Sequence, residues 1–202
     1  MMVKICGITN REDALAAIEG GASALGFNFY PQSPRYLNPD QAAELIAELP
    51  AAIWKVGVFV NESPQRITEI TNRAKLDIAQ LHNVGQADSL SYIRIWKAAA
   101  VDENFRLSDL DQYPAEAVLL DAPAGEGHCA TYGGTGRAFD WSKASGRANL
   151  KIILAGGLDA ANVRQAIAAA HPWGVDVCSR IESSPGRKDH VKMAQFLKEA
   201  TA

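Results

Sequence analysis

KIILAGGLDAANVRQAIAAAHPWGVDVCS, residues 151–179, sets out an apolar run, a glycine pair, a helix-like stretch and a second apolar run in that order. Short runs rich in Val and Ile on either side of a helical pattern read as one β–α–β unit, whose two strands must lie parallel. The helical part extends from Asp159, a start signal, to Pro172, a stop. Neither run alternates strictly between apolar and polar residues, as expected of strands covered on both faces.

The same alternation extends back to the start of the chain. Eight strand-like runs can be counted: VKICG from Val3, SALGFNF from Ser23, IWKVGVFV from Ile53, DIAQLH from Asp77, YIRIWKA from Tyr92, AVLLDA from Ala117, KIILAGG from Lys151 and GVDVCS from Gly174. Helical stretches lie between several of them. NREDALAAIEGGA has Asn10 as its cap, Glu12 and Asp13 in its first turn, and Gly20 or Gly21 as its stop. NPDQAAELIAELP starts at Asn38 with Pro39 in the first helical position and ends at Pro50, and DHVKMAQFLKEA closes the sequence. NVGQADSLS, after the fourth run, has room for at most two helical turns, and Gly125 to Arg137 has no helical pattern and reads as a loop, expected to order over a ligand. Eight units in 202 residues leave about 25 each, the lower end of what a (β/α)₈ barrel needs. The expected fold is therefore a single (β/α)₈ TIM-barrel domain over residues 1–202, with no compositional break to mark a linker.

Composition narrows the ligand. The chain is 48% hydrophobic and 21% charged, with a formal net charge of −3. No basic cluster is present to bind nucleic acid or an anionic membrane surface, and no run approaches the length of a membrane span. The three cysteines, Cys6, Cys129 and Cys178, are widely spaced with no CxxC, so they suggest neither a disulfide framework nor a zinc site and fit a reducing cytoplasm.

In such barrels the chemistry sits at the carboxyl ends of the strands. Those ends carry Cys6, Asn28, Asn61, Gln80 with His82, Lys97, Asp121, the AGG at 155–157 and the CSR at 178–180. Strand six lies three places from strand one in a closed eight-stranded barrel, so Cys6 and Asp121 would face each other across the mouth, an acid and a base on two sides of a ligand. Cys6 also reads as a small buried hydrophobe, and Asp121 as a loop cap or salt-bridge partner. GGTG at 133–136, AGGL at 155–158 and CSR at 178–180 follow strands six, seven and eight, where many barrels bind phosphate through backbone N–H groups. Arg35, in SPRY, could hold a carboxylate through its planar fork. His82 has no second histidine or carboxylate at ligand spacing and reads as a packed or hydrogen-bonding residue. Trp54, Phe59, Trp96 and Trp173 read as packing.

KICGIT, ALGFNFYPQSPRY, VGVFVN, AQLH, LLDA, GGTGRAFDW, LAGGLDAANV and GVDVCSRIESSPGRKD together resemble, in order and over nearly the whole chain, the phosphoribosylanthranilate isomerase family of tryptophan biosynthesis. The resemblance implies a cofactor-free and metal-free Amadori rearrangement of N-(5-phosphoribosyl)anthranilate to 1-(o-carboxyphenylamino)-1-deoxyribulose 5-phosphate. It implies Asp121 as general acid at the ring oxygen and Cys6, as thiolate, as the base at C2 of the sugar. Arg35 would hold the anthranilate carboxylate, with Gly134, Gly157, Ser179 and Arg180 around the phosphate. The family usually has SSGVE where this chain has CSRIE, so Arg180 replaces a glycine and either carries backbone strain or adds charge to the phosphate site. The expected partner is a small phosphorylated substrate, and the expected assembly a monomer or homodimer. Two other readings remain: a dual-substrate aminoaldose isomerase serving histidine biosynthesis as well, which would usually carry aspartate in place of Cys6, and a non-catalytic phosphate-ligand binding barrel.

Overall fold

The computed structural model describes residues 1–83, 90, 92–112, 115–123, 139–144 and 150–202. Eight parallel strands close into a barrel in sequence order: β1 (Met2–Cys6), β2 (Ala24–Asn28), β3 (Trp54–Val60), β4 (Ile78–His82), β5 (Arg94–Ala100), β6 (Ala117–Asp121), β7 (Lys151–Leu154) and β8 (Gly174–Val177). Each falls within or beside an expected run, and β8 returns to pair with β1. One expectation moves: β5 runs on to Ala100, so Lys97 lies within the strand and not at its end.

Helices α1 (Arg11–Glu19), α2 (Pro39–Ala47), α3 (Pro64–Ala74), α4 (Val163–Ala170) and α5 (His190–Thr201) cover the outside. Their starts follow local chemistry. Asn10, Asn38, Ser63 and Asp189 each accept a backbone N–H of the first turn with their side chains, satisfying donors that the helix cannot. α4 starts later than the Asp159 signal. Asp159 N–H is bonded to Asn162 Oδ1 at 2.9 Å, and Asn162 Nδ2 donates to Gly157 O at 2.9 Å, so these residues form a clamped turn ahead of the helix. Among the described residues, the β5–β6 and β6–β7 connections hold only 3₁₀ turns, Leu107–Gln112 and Trp141–Ala144. A short antiparallel pair, Glu182–Ser184 with Arg187–Lys188, is built from ESSPGRK between β8 and α5. The residues after β4 and the Gly125–Arg137 loop fall largely outside the described residues.

Two apolar layers hold the fold. Phe27, Phe29, Phe59, Leu120, Val175 and Phe196 belong to the layer between strands and helices, and Phe29 stacks on Phe59 at 5.4 Å. Met2, Ala24, Val56, Ile78, Trp96, Ala117, Leu119 and Ile153 fill the barrel interior. Trp54, Trp96 and Trp173 meet at that interior's amino-terminal end with centroids 6.0–6.2 Å apart, so the tryptophans are packing residues. Side chains alternate along a strand, so the residues two and four places beyond this apolar floor also point inward. That progression runs Met2–Lys4–Cys6, Ile78–Gln80–His82, Ala117–Leu119–Asp121 and Gly174–Asp176–Cys178. An apolar base thus gives way to a polar mouth. Among the described residues, no helix is long and apolar enough to cross a membrane.

Candidate active site

Cys6 ends β1 with only 8% of its surface exposed. The reading of it as a buried residue holds. Gly26 on β2 makes room for the thiol, since a Cβ there would stand 2.8 Å from Cys6 Sγ. Gly7 follows with φ +75°, a conformation that L side chains rarely adopt, and the chain turns away. A Cβ at Gly7 would meet Arg35 Cδ at 2.7 Å and Cys178 Sγ at 3.0 Å.

The Cys6 thiol is held well below its usual range, first by the Cys178 S–H donating to it, and then, against burial, by the positive charges of Lys4 and Lys188. Cys178 is pushed well up by the same hydrogen bond and by burial. The two thiols are thus shifted in opposite directions, Cys6 down and Cys178 up. Lys4 lies one layer below, its side chain fully buried and its Nζ 2.8 Å from Asp176 Oδ1. Burial works against the Lys4 charge, but Asp176 and Cys6 more than offset it, and lysine is held as the cation. Asp176 itself is pushed up to about 7 by burial, with Lys4 pulling the other way.

Asp121 ends β6, where its Oδ1 accepts the Ala122 N–H at 2.8 Å. Burial raises its pKa to about 6 and the Cys6 charge adds to the rise, while the Ala122 N–H and Lys4 oppose it. The carboxyl thus keeps its proton to a higher pH than an exposed aspartate does. His82, also in the mouth, is kept neutral, its pKa lowered to about 4 by burial and by the Lys4 charge, and Gln80 Nε2 donates to its Nε2 at 3.0 Å. The hydrogen-bonding reading of His82 holds. Among the described residues, no three His, Cys, Asp or Glu side chains cluster as metal ligands.

A cleft beside Asp121 is lined by Gly156, Gly157, Asp176, Cys178, Ser179 and Arg180. It brings together four of the expected residues: Asp121, Gly157, Ser179 and Arg180. Gly156 and Gly157 have φ +75° and +63°. Ser179–Ile181 forms a 3₁₀ turn directly after β8. Arg180 is not among the residues of positive φ, so its side chain carries no left-handed strain, and its guanidinium lies 4.0 Å from Asp159 Oδ2. Gly134 lies outside the described residues.

Arg35 differs from the expected open fork. Its Nε and Nη2 donate to the two carboxylate oxygens of Glu182 at 2.8 and 2.7 Å. Glu182 also accepts from Lys188 Nζ at 3.0 Å, and its carboxyl is held low by Arg35 and Lys188 even though burial pushes it up. Lys4, Asp176, Glu182 and Lys188 were missed as candidates. The signal for the first two was the charge within VKIC and GVDV at inward positions, where a polar residue breaks an otherwise apolar run.

The chain matches the model of the N-(5′-phosphoribosyl)anthranilate (PRA) isomerase family over residues 3–199. It is 52% identical over 203 aligned positions to N-(5′-phosphoribosyl)anthranilate isomerase of Solibacter usitatus, covering 100% of this chain and 98% of that protein. The crystal structure of phosphoribosyl anthranilate isomerase from Thermotoga maritima superposes with a TM-score of 0.88 at 40% identity, covering 100% of this chain and 98% of that one. Another solved isomerase, in complex with reduced 1-(o-carboxyphenylamino)-1-deoxyribulose 5-phosphate, gives 0.82 at 36% identity, with 100% and 98% covered. A closed eight-stranded barrel and a match along nearly its full length place this chain in the N-(5′-phosphoribosyl)anthranilate isomerase family.

Proposed function

We propose that Cys6 and Asp121 are the base and acid with which this isomerase converts N-(5′-phosphoribosyl)anthranilate to 1-(o-carboxyphenylamino)-1-deoxyribulose 5-phosphate. The observation that carries the assignment is their placement at the carboxyl ends of β1 and β6 of one closed barrel, and the surroundings act in the matching directions, lowering the thiol and raising the carboxyl. Asp121, as the carboxylic acid, protonates the furanose ring oxygen and the ring opens to a Schiff base. Cys6, as the thiolate, removes the proton from C2, and the resulting enolamine tautomerises to the ketone. Lys4 keeps the thiolate charge compensated without reaching the substrate, since it is fully buried beneath it.

The phosphate end of the substrate belongs at the cleft of Gly157, Ser179 and Arg180. Backbone N–H groups there supply donors and Arg180 adds a cation. Glu182 occupies the Nε/Nη2 edge of Arg35, so the anthranilate carboxylate would meet the opposite edge of a guanidinium already fixed in orientation. The chain is read as one barrel domain acting as a monomer or homodimer in a reducing cytoplasm.

The test is turnover of freshly generated substrate, followed by anthranilate fluorescence, with chelator-treated wild-type and Cys6→Ser proteins side by side. Wild-type activity is expected to survive the chelator, and the variant to fold normally while its turnover falls by orders of magnitude, because a hydroxyl is a far poorer base than a thiolate. Near-normal turnover by Cys6→Ser would remove Cys6 from the mechanism.

A further inference from the structure

We propose that Cys6 and Cys178 form a reversible disulfide across the β1–β8 seam, making the mouth of the barrel a site of oxidative modification by peroxides. Ile5 and Val177 are the last residues paired between β1 and β8, and Cys6 and Cys178 follow them by one residue, Cys178 just past the end of β8, with their thiols in hydrogen-bond contact. Neighbouring strands lie about 4.8 Å apart, inside the Cα–Cα range of about 4.4–6.8 Å that a disulfide spans. Both side chains point into the mouth, two residues beyond Lys4 and Asp176, which already touch across the same seam.

The two sulfurs have complementary parts to play. Cys6, the thiol shifted down, is the one a peroxide oxidises, and Cys178, hydrogen-bonded to it, is the resolving thiol. The Cys6 thiolate attacks a peroxide oxygen, the O–O bond breaks, and with one proton taken up the products are a sulfenic acid and water. Cys178 sulfur then attacks the Cys6 sulfur, displacing the sulfenic oxygen as a second water with the Cys178 proton. Two thiols lose two electrons in all, and the peroxide gains them. Lys188 Nζ lies 4.0 Å from Cys178 Sγ, so a cation stands ready when that thiol gives up its proton. A dithiol reduces the bond by thiolate exchange and restores the pair.

Formation of the bond is independent of the isomerase mechanism. Its consequence, loss of turnover through consumption of the Cys6 thiolate, rests on that reading. The test treats the folded wild-type chain with hydrogen peroxide, blocks remaining thiols and digests with trypsin. The expected product joins the peptides Ile5–Arg11 and Gln165–Arg180, with turnover lost and then recovered with dithiothreitol. In Cys178→Ser the linked peptide is absent and Cys6 proceeds to sulfinic acid, beyond recovery by dithiol. Recovery of wild-type Cys6 as free thiol, as sulfinic acid or joined to Cys129 would overturn the proposal. A linked peptide in a protein whose reduced form never turned over substrate would uphold the disulfide and remove the isomerase assignment of Cys6.

Discussion

Replacing Asp121 with asparagine removes a carboxyl that the fold holds protonated to about pH 6. In the unfolded chain the same group titrates near 3.9. The folded state therefore binds this proton more tightly, and wild-type stability falls as pH rises from about 4 through 6, because the buried side chain must then carry a charge. A difference of two pKa units at about 1.4 kcal/mol each sets an upper bound of about 3 kcal/mol. Water reaching the cleft beside Asp121 lowers the expected value to about 1–3 kcal/mol. Asparagine keeps the oxygen that accepts the Ala122 N–H and carries no charge at any pH, and losing the repulsion from Cys6 acts in the same direction. Urea unfolding of both proteins near pH 4 and pH 8 reads the effect. The variant should gain about 1–3 kcal/mol on the wild type between the two, while losing ring-opening activity. A stability difference that stays constant with pH, or a wild type that gains on the variant as pH rises, would refute the reasoning.

Lys4→Met leaves Asp176 buried without its cation and should destabilise by about 3–5 kcal/mol in chemical unfolding. It should also raise the pH at which Cys6 reacts with iodoacetamide, since the Lys4 charge helps to hold that thiol low. Gly7→Ala forces a side chain into positive φ and against Arg35 Cδ, and should cost about 1–2 kcal/mol in stability while raising KM through displacement of the guanidinium. Glu182→Gln removes the anion shared by Arg35 and the fully buried Lys188, and should lower the thermal midpoint and raise KM. An unchanged midpoint would show that the cluster contributes nothing to the fold.

The strands were legible because each is a short apolar run bounded by turn residues, and the caps Asn10 and Asn38 because they act through bonds to their own first turns. Cys6, Asp121, Gly157, Ser179 and Arg180 were legible as strand-end and loop residues once the barrel was assumed. Three features were not. The Lys4–Asp176 pair joins residues 172 apart in sequence, and its meaning depends on barrel closure between β8 and β1. The Arg35–Glu182 fork likewise spans 147 residues, so Arg35 appears alone in the sequence. The antiparallel pair after β8 has strands of three and two residues, too short for an alternation to show.

The most direct test compares two pH profiles on the wild-type protein: the alkylation rate of Cys6 and the acid limb of kcat/KM for isomerisation. The account predicts that both rise with the same apparent pKa, below the reference value of about 8.5 for a free thiol, because turnover waits on the Cys6 thiolate. Turnover indifferent to the pH at which Cys6 ionises, or a Cys6 midpoint at or above about 8.5, would contradict it.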